Sequence, residues 1–331
     1  MAQDDTRPVY HPAGHDHALR VALQELRSGR WVSMRDLLAE TPDWALWTQR
    51  TQILAAAAAG SDVVRAWSAE EPHSTAVAVM SARVAVERAV RARREGHRHT
   101  RDLWREAWDA CADSARARPD DPVPWVCLLA LAQLDEKQQM SEHRMPPPGP
   151  MLPTGPWALL TEADKRDPGN REAYHRMLQF LYVRQAGAVS DAVNFAQWAA
   201  SAAAPGSPLH ALPLYVRVER YRREQGHRRA LDLYWVAEDA VRDAERTLHG
   251  WFDHAEPEAA SLLDLSQLAH ALWGAQRFAD AGRVFRALGP YYTTMPWAYR
   301  TPDPLDQALA EELFLRARER CLAAAQDDPG A

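Results

Sequence analysis

The chain has 331 residues, of which 47% are hydrophobic, and its formal net charge at pH 7 is −6. This length supports one large or two ordinary domains with a substantial core, and the composition excludes a wholly disordered chain. The acidic balance argues against a general nucleic-acid-binding protein, because affinity for phosphate depends on a surplus of basic residues.

The N-terminal sequence is polar and acidic, unlike a signal peptide, and no run of about 18 apolar residues follows it. Cys111, Cys127 and Cys321 show no CxxC spacing, so we expect neither a disulfide framework nor a cysteine zinc site. These features predict a cytoplasmic protein without a membrane span. Only Lys137 and Lys165 are lysines. That bias toward arginine is typical of a high-GC genome, as in actinobacteria.

Apolar residues recur at spacings of three and four in most windows, which predicts an all-α protein. Residues 1–17 are predicted to form a flexible N-terminal arm, 18–140 N-terminal helical hairpins, 141–156 a proline-rich loop, 157–326 C-terminal hairpins, and 327–331 a tail. The predicted helix pairs are 18–29 with 30–40, 74–96 with 100–119, 171–185 with 189–203, 208–225 with 228–248 and 257–275 with 277–288, followed by a last helix at 303–325.

Glycines and prolines mark the helix ends. Gly29 and Gly96 are predicted to end helices, and Thr100 is predicted to cap the next one. Five prolines stand at or near predicted helix starts, roughly 40 to 49 residues apart, a period typical of stacked helical solenoids. The alternative is that five of 23 prolines look periodic by chance. The five are Pro122, Pro168, Pro208, Pro257 and Pro302.

Residues 262–295 carry the most regular apolar pattern. Small Ala269 and Ala281 would let two helices approach closely, and Gln276 with Arg277 would form the turn between them. The eight spaced packing positions are Leu265, Leu268, Ala269, Leu272, Phe278, Ala281, Phe285 and Leu288.

This stretch resembles a tetratricopeptide repeat, although it lacks the family's closing proline and has no glycine at the turn. The segments "ARPDDPVPW" and "EADKRDPGNREAY" resemble junctions between two such repeats, and the resemblance covers about a hundred residues. It implies a right-handed α-solenoid of antiparallel helical hairpins, but fold alone does not imply function.

The resemblance also implies which side chains face the concave groove. These are Ser266, His270 and Trp273 in one repeat, and His175, Gln179 and Tyr182 in another. Aromatic and imidazole groups suit the binding of a peptide, because rings give contact area at small entropic cost. We therefore expect Tyr182 and Trp273 to be partly exposed, and Phe278 and Phe285 to be fully buried.

The segment "SEHRMPPPGPMLPTGPW", residues 141–157, contains six prolines and predicts an extended, polyproline-like loop. Pro156 and Trp157 would start a new helix. The loop would serve either as a lid or docking arm, with Met145, Met151 and Leu152 as apolar contacts, or as an ordered crossover.

Seven arginines fall within the eighteen residues 88–105. Arg91, Arg94, Arg98 and Arg101 form a candidate site for a phosphate or an acidic partner, because arginine binds both bidentately. The alternative is a solvated helix face in an arginine-rich chain.

Little in the sequence supports catalysis. His11, His15 and His17 supply imidazoles, but they lie in an arm with Pro12 and Gly14 that offers no rigid frame for a metal. No HExxH, GxSxG or P-loop motif occurs, so we expect no metal, no cofactor and no catalytic residue.

Two functional hypotheses remain. The first is a non-catalytic scaffold or adaptor that binds a protein or peptide. The second is a helical accessory protein or enzyme of a biosynthetic pathway that holds a small molecule or peptide in a pocket closed by residues 141–157. A regulator that contacts nucleic acid through the arginine cluster lacks a helix-turn-helix signature.

Overall fold

The computed structural model describes residues 7–184, 188–224, 233–255 and 260–326. In these ranges it contains fifteen α-helices and no strand, which confirms the predicted all-α class. Beyond the helices, two isolated β-bridges pair Val9 with Tyr291 and Met145 with Gly155.

The chain divides into two compact units. The N-terminal unit is Asp16–Phe195, and the C-terminal unit combines Met1–His15 with Ala196–Ala331. The N-terminal unit contains α1 (His17–Arg27), α2 (Val32–Ala39), α3 (Trp44–Ala58), α4 (Val63–Glu70), α5 (Thr75–Arg94), α6 (Thr100–Ala117), α7 (Val123–Ala132), α8 (Trp157–Arg166) and α9 (Arg171–Val183). The boundary falls inside α10 (Ala188–Ala202), and the C-terminal unit continues with α11 (Leu212–Arg223), α12 (Glu238–Gly250), α13 (Leu262–Gly274), α14 (Phe278–Leu288) and α15 (Gln307–Ala324).

Local sequence signals explain several helix ends. The side chains of Asp16, Asp43 and Asn170 each accept a hydrogen bond from a backbone N–H in the first turn of α1, α3 and α9. Gly29 and Gly96 have φ of 78° and 65° and follow α1 and α5, as the sequence predicts.

Helices α3 and α4 are absent from the predicted helix pairs, and α7 was indicated only by Pro122 at its start. Helix α3 ends in an alanine run, and α7 is apolar throughout and almost entirely buried. A helix that is apolar all round carries no amphipathic signal.

The predicted start of the helix at 228–248 was wrong. Helix α12 begins at Glu238, and residues 233–237 form a turn. Residues 228–232 and the predicted helix start at Pro257 lie outside the described residues. The last helix begins at Gln307, later than predicted, because the side chain of Asp306 caps it.

The proline-rich segment is only partly extended. Ser141–Arg144 forms a short 3₁₀ helix, which corrects the prediction that helical structure is excluded there. The prolines begin after this turn, and His143 anchors it through a 2.9 Å contact between its Nδ1 and Asp135 Oδ2. The backbones of Met145 and Gly155 exchange two hydrogen bonds of 3.0 and 3.1 Å, which close the loop. It lies inside the N-terminal unit, so it does not separate the two units.

Residues 7–15 of the predicted N-terminal arm make hydrogen bonds within the C-terminal unit. Val9 N donates to Pro290 O at 2.8 Å, and Tyr292 N donates to Val9 O at 3.0 Å. His15 Nε2 lies 3.1 Å from Ala287 O, which fixes the end of the arm in the C-terminal unit. Residues 1–6 and the predicted tail 327–331 lie outside the described residues.

The core of the C-terminal unit is formed by α11 to α15 together with the short 3₁₀ helix that contains Trp297. Seven of the eight packing positions expected from the sequence are buried, but Phe278 is only half-buried. Phe278 is the first residue of α14, where the Arg320 guanidinium covers its ring at 4.0 Å from the centroid. Gln276 has φ of 62°, and Arg277 N donates to Leu272 O at 2.9 Å. Gln276 thus takes the left-handed position that glycine usually occupies after a helix.

We expect Gly282→Ala to destabilise the protein by about 1 to 3 kcal/mol through overpacking. A Cβ atom at Gly282 would overlap the carbonyl oxygen of Cys321 and the Cβ of Ala325 on the facing helix. Gly60→Ala is the control, because the nearest atom to its Cβ would be a guanidinium nitrogen of Arg91 at 3.9 Å. Urea unfolding measures both variants, and equal midpoints would show that α14 and α15 do not approach this closely.

Candidate functional site

Trp273 lies in a cluster of aromatic rings around Arg300 in the C-terminal unit. The Arg300 guanidinium lies 5.0 Å from the Trp273 ring centroid, 5.5 Å from that of Tyr221 and 5.8 Å from that of Trp235. Such cation–π contacts hold the guanidinium in place. We call Tyr221, Tyr234, Trp235, Trp273, Tyr299 and Arg300 the aromatic–arginine patch.

Exposure divides the aromatic–arginine patch into a base and a surface. Tyr221 and Trp235 are buried, whereas Tyr234, Trp273 and Tyr299 are half-buried. Partial exposure of Trp273 confirms the sequence-based prediction for that residue. The surface is therefore formed by rings that still have apolar area open to solvent.

Several elements bring the patch together. Tyr221 lies on α11, Trp235 in the turn before α12, Trp273 near the end of α13, and Arg300 at the end of the short 3₁₀ helix Trp297–Arg300. The close approach of the turn to α13 requires glycine at position 274, because a Cβ there would lie 2.8 Å from Trp235 Cβ.

Ser266 and His270 do not face an open groove. Both are buried, and Ser266 Oγ accepts a 2.9 Å hydrogen bond from Trp297 Nε1. The ring of His270 packs edge-to-face against Trp235 and Trp297, with centroid distances of 4.7 and 5.2 Å. The turn at 233–237 and the Trp297–Arg300 helix cover this face of α13.

His270 is held in its neutral form. Neither ring nitrogen has a hydrogen-bond partner in the part of the chain that the structure describes. Burial, followed by the positive charge of Arg300, lowers the pKa of His270 well below its usual value. The residue is a packing partner of the patch.

The second predicted set lies on α9 of the N-terminal unit. His175 and Tyr182 are half-buried and Gln179 is exposed, so the partial exposure predicted for Tyr182 is confirmed. Gln179 Oε1 accepts a hydrogen bond from Arg176 at 3.1 Å. The two predicted sets belong to different units.

A buried ion pair lies beneath α9, and the sequence analysis missed it. Arg83 on α5 and Glu172 on α9 are 3% and 4% exposed, with Arg83 NH1 2.7 Å from Glu172 Oε1. Arg176 NH2 approaches the same carboxylate oxygen at 2.8 Å. Burial alone would raise the pKa of Glu172, but the two guanidinium groups hold it below its usual value. The only sequence signal was a charged Arg83 within the apolar run "ARVAV".

A second buried carboxylate, Asp121, lies before α7. Its side chain accepts hydrogen bonds from Trp47 Nε1 at 2.9 Å and from Val123 N at 2.8 Å. The guanidinium of Arg118 lies over the rings of Trp44 and Trp47, at 4.7 and 4.6 Å from their centroids. Loss of hydration on burial raises the pKa of Asp121 to about 6, against the lowering effect of Val123 N–H and Arg118.

Asp121 should make the protein less stable as the pH rises from about 4 to about 6. A carboxyl group whose pKa is higher in the folded state binds its proton more tightly there, so its deprotonation favours unfolding. Relative to Asp121→Asn, the free energy of unfolding of the wild type should fall by about 2 kcal/mol between pH 4.5 and 7.5. Urea unfolding across that range tests this, with Asp113→Asn on α6 as an exposed control. A constant difference between wild type and Asp121→Asn would contradict the assignment.

The predicted arginine cluster surrounds the turn between α5 and α6. Arg91, Arg94, Arg98 and Arg101 are all exposed. Among the described residues these four make no ion pair, although Arg98 Nε donates to His99 Nε2 at 3.0 Å. The structure thus leaves four cations available to a partner at this end of the unit.

The described residues contain no group of three or more His, Cys, Asp or Glu side chains that could hold a metal ion. His15 contacts a backbone carbonyl and His17 is exposed at the start of α1. No described helix is both long and apolar enough to cross a membrane.

The chain was also compared with known proteins. No family model, no curated protein and no solved structure matches it. Functional inference therefore depends on the residues and their geometry.

Proposed function

We propose that the protein is a non-catalytic scaffold or adaptor, built of tetratricopeptide-like helical hairpins, that binds a peptide segment of a protein partner. The supporting observation is the half-buried aromatic surface around Arg300, with Trp273 and Tyr299 at its edge. Trp, Tyr and Arg are the residue types that contribute most binding energy at protein interfaces.

The proposed binding energy comes from the apolar area of Trp273 that is still exposed to solvent and that a partner can bury. Trp273 packs against the core through contacts with Trp297, at a centroid distance of 5.9 Å, and still keeps part of its ring in solvent. A partner that covers the exposed part gains apolar burial without first ordering the ring, because the contacts below already fix it.

Arg300 adds a polar contact to this surface. Its guanidinium is positioned by three rings, and its positive charge favours a carboxylate of the partner at this surface. Arg222, whose guanidinium lies 5.9 Å from the Tyr299 ring centroid, is paired with Glu219 at 2.6 Å, so Arg300 supplies the positive charge of this surface. We therefore expect a peptide that carries both an apolar side chain and a carboxylate.

The test is a peptide selection on the full chain. Peptides selected from a random display library are synthesised, and their affinities for the wild type, Trp273→Ala and Tyr299→Ala are measured by fluorescence anisotropy. We expect each aromatic variant to lose at least about tenfold in affinity.

The matched control is Leu305→Ala, which removes an apolar side chain that is 89% exposed in the same unit. It should leave binding unchanged, and thermal melts should show that every variant folds. This site is refuted if every selected peptide binds Trp273→Ala and Tyr299→Ala as tightly as the wild type.

A further inference from the structure

An open groove lies on the N-terminal unit between α4 and α6, above α5. Its volume is about 250 Å³. Cavities of about 150 Å³ accommodate a benzene ring, so the groove has room for a large apolar side chain. It is lined by Val64, Arg65 and Ser68 of α4, Ser81, Val84, Ala85 and Arg88 of α5, and Leu103 and Glu106 of α6.

The floor of the groove is formed by small side chains. Ser81 and Ala85 stand four residues apart on α5, so they lie on one face of the helix, and both are partly exposed. Val84 and Val64 are buried beside them, and Leu103 forms part of the wall. This combination of a small-residue floor and apolar walls fits one inserted side chain of a partner.

Arginines border the groove on the side of α4. Arg88 Nε donates to Ala59 O at 3.0 Å, and Arg88 NH2 donates to Ser61 O at 2.7 Å. These carbonyls at the end of α3 fix the guanidinium, which makes no ion pair within the described residues, although, after the hydrogen bond from Arg65, its charge also lowers the pKa of nearby Asp62. Arg91 follows one turn later on α5, close to Gly60 in the same loop.

The charge of this region is opposite to that of the whole chain. Residues 88–105 contain seven arginines and only two acidic residues, Glu95 and Asp102, whereas the chain carries a net charge of −6. An acidic partner therefore meets favourable potential in this region.

We propose that this groove binds an acidic amphipathic segment of a protein partner. A large apolar side chain of the segment inserts above Ser81 and Ala85, and neighbouring carboxylates contact Arg88 and Arg91. The apolar lining favours a peptide over nucleic acid, because a phosphate backbone gains nothing from an apolar cavity. This inference goes beyond the aromatic–arginine patch, and the two sites can fail separately because they share no residue.

The experiment is a selection of 16-residue peptides from a random display library on the full chain, followed by anisotropy titrations of the synthetic peptides. Ala85→Leu and Ser81→Leu each place a larger side chain in the groove at a partly exposed position. If one variant does not fold, the other still tests the groove. Ala66→Leu makes the same change at an exposed position of α4 outside the groove. Trp273→Ala separates these peptides from those that bind the patch.

We expect a class of peptides whose affinity for Ala85→Leu or Ser81→Leu is at least about tenfold lower than for the wild type. Their affinity for Ala66→Leu and Trp273→Ala should equal that for the wild type. Their sequences should share a large apolar residue flanked by Asp or Glu. Binding should weaken on Arg91→Glu/Arg94→Glu and at high salt.

Three results would overturn the inference. The first is that no selected peptide loses affinity on the groove-filling variants. The second is that the peptides that do lose affinity are neutral or basic. The third is that a 20-nucleotide single-stranded RNA binds with dependence on Arg91 and Arg94 but not on Ala85, which would make the arginine surface a nucleic-acid site.

Discussion

Replacing Phe285 with alanine should lower the free energy of unfolding by about 3 to 5 kcal/mol, as truncation of a buried aromatic residue does. Phe285 is fully buried, and its ring packs against Phe314 and Trp297 with centroid distances of 5.6 and 5.9 Å. Urea unfolding at constant pH measures the loss.

Trp273→Ala is the matched comparison, on the other helix of the same hairpin. Because Trp273 keeps part of its ring in solvent, we expect a smaller loss of stability than for Phe285→Ala, together with loss of peptide binding. If Trp273→Ala is the less stable of the two variants, Trp273 is a core residue, and the proposed binding surface fails.

Glu172→Ala should destabilise the protein by about 3 to 5 kcal/mol. The substitution leaves Arg83 as a buried charge without its 2.7 Å partner and removes a contact of Arg176 as well. Chemical denaturation at pH 7 measures the effect. Asp113→Ala, which breaks an exposed ion pair with Arg116, should cost less than about 1 kcal/mol.

The double variant Arg83→Met/Glu172→Met distinguishes a buried charge from lost packing. Replacing both members of a buried pair by apolar residues is often neutral or stabilising, so the double variant should be clearly more stable than Glu172→Ala. Additive losses in Arg83→Met, Glu172→Met and the double variant would show that the two charges do not interact.

The lowered pKa of Glu172 also makes the stability of the protein depend on pH. A carboxylate with a lowered pKa in the folded state contributes stability above its unfolded value, and this contribution is lost as the pH falls through the folded pKa. Asp121 acts in the opposite sense between about pH 4 and 6. The two effects are separated by comparing each variant with the wild type at every pH.

Much of the helical structure was predictable because its signals are local. The pattern of α13 and α14, the turn at Gly96 and the turn at Gln276 and Arg277 depend on residues within a few positions of each other. The exposed arginines of the α5–α6 turn were predictable for the same reason.

The orientation of Ser266 and His270 was not predictable, because irregular segments distant in sequence cover them. Trp297, which donates a hydrogen bond to Ser266, is 31 residues away and lies in a short 3₁₀ helix with no periodic pattern. The Arg83–Glu172 pair spans 89 residues. Helical periodicity identifies the apolar face of a helix but not the neighbours that bury its polar positions.

The most direct test of peptide binding at the aromatic–arginine patch follows the indole N–H signals of the thirteen tryptophans by nuclear magnetic resonance during titration with a selected peptide. Trp273→Phe assigns the signal of Trp273. Binding at the patch predicts that the Trp273 signal shifts in proportion to the bound fraction, while that of Trp67, which is buried in the N-terminal unit and donates to Glu71 at 2.8 Å, stays in place. The proposed function at this site is contradicted if no selected peptide moves the Trp273 signal when it binds the protein.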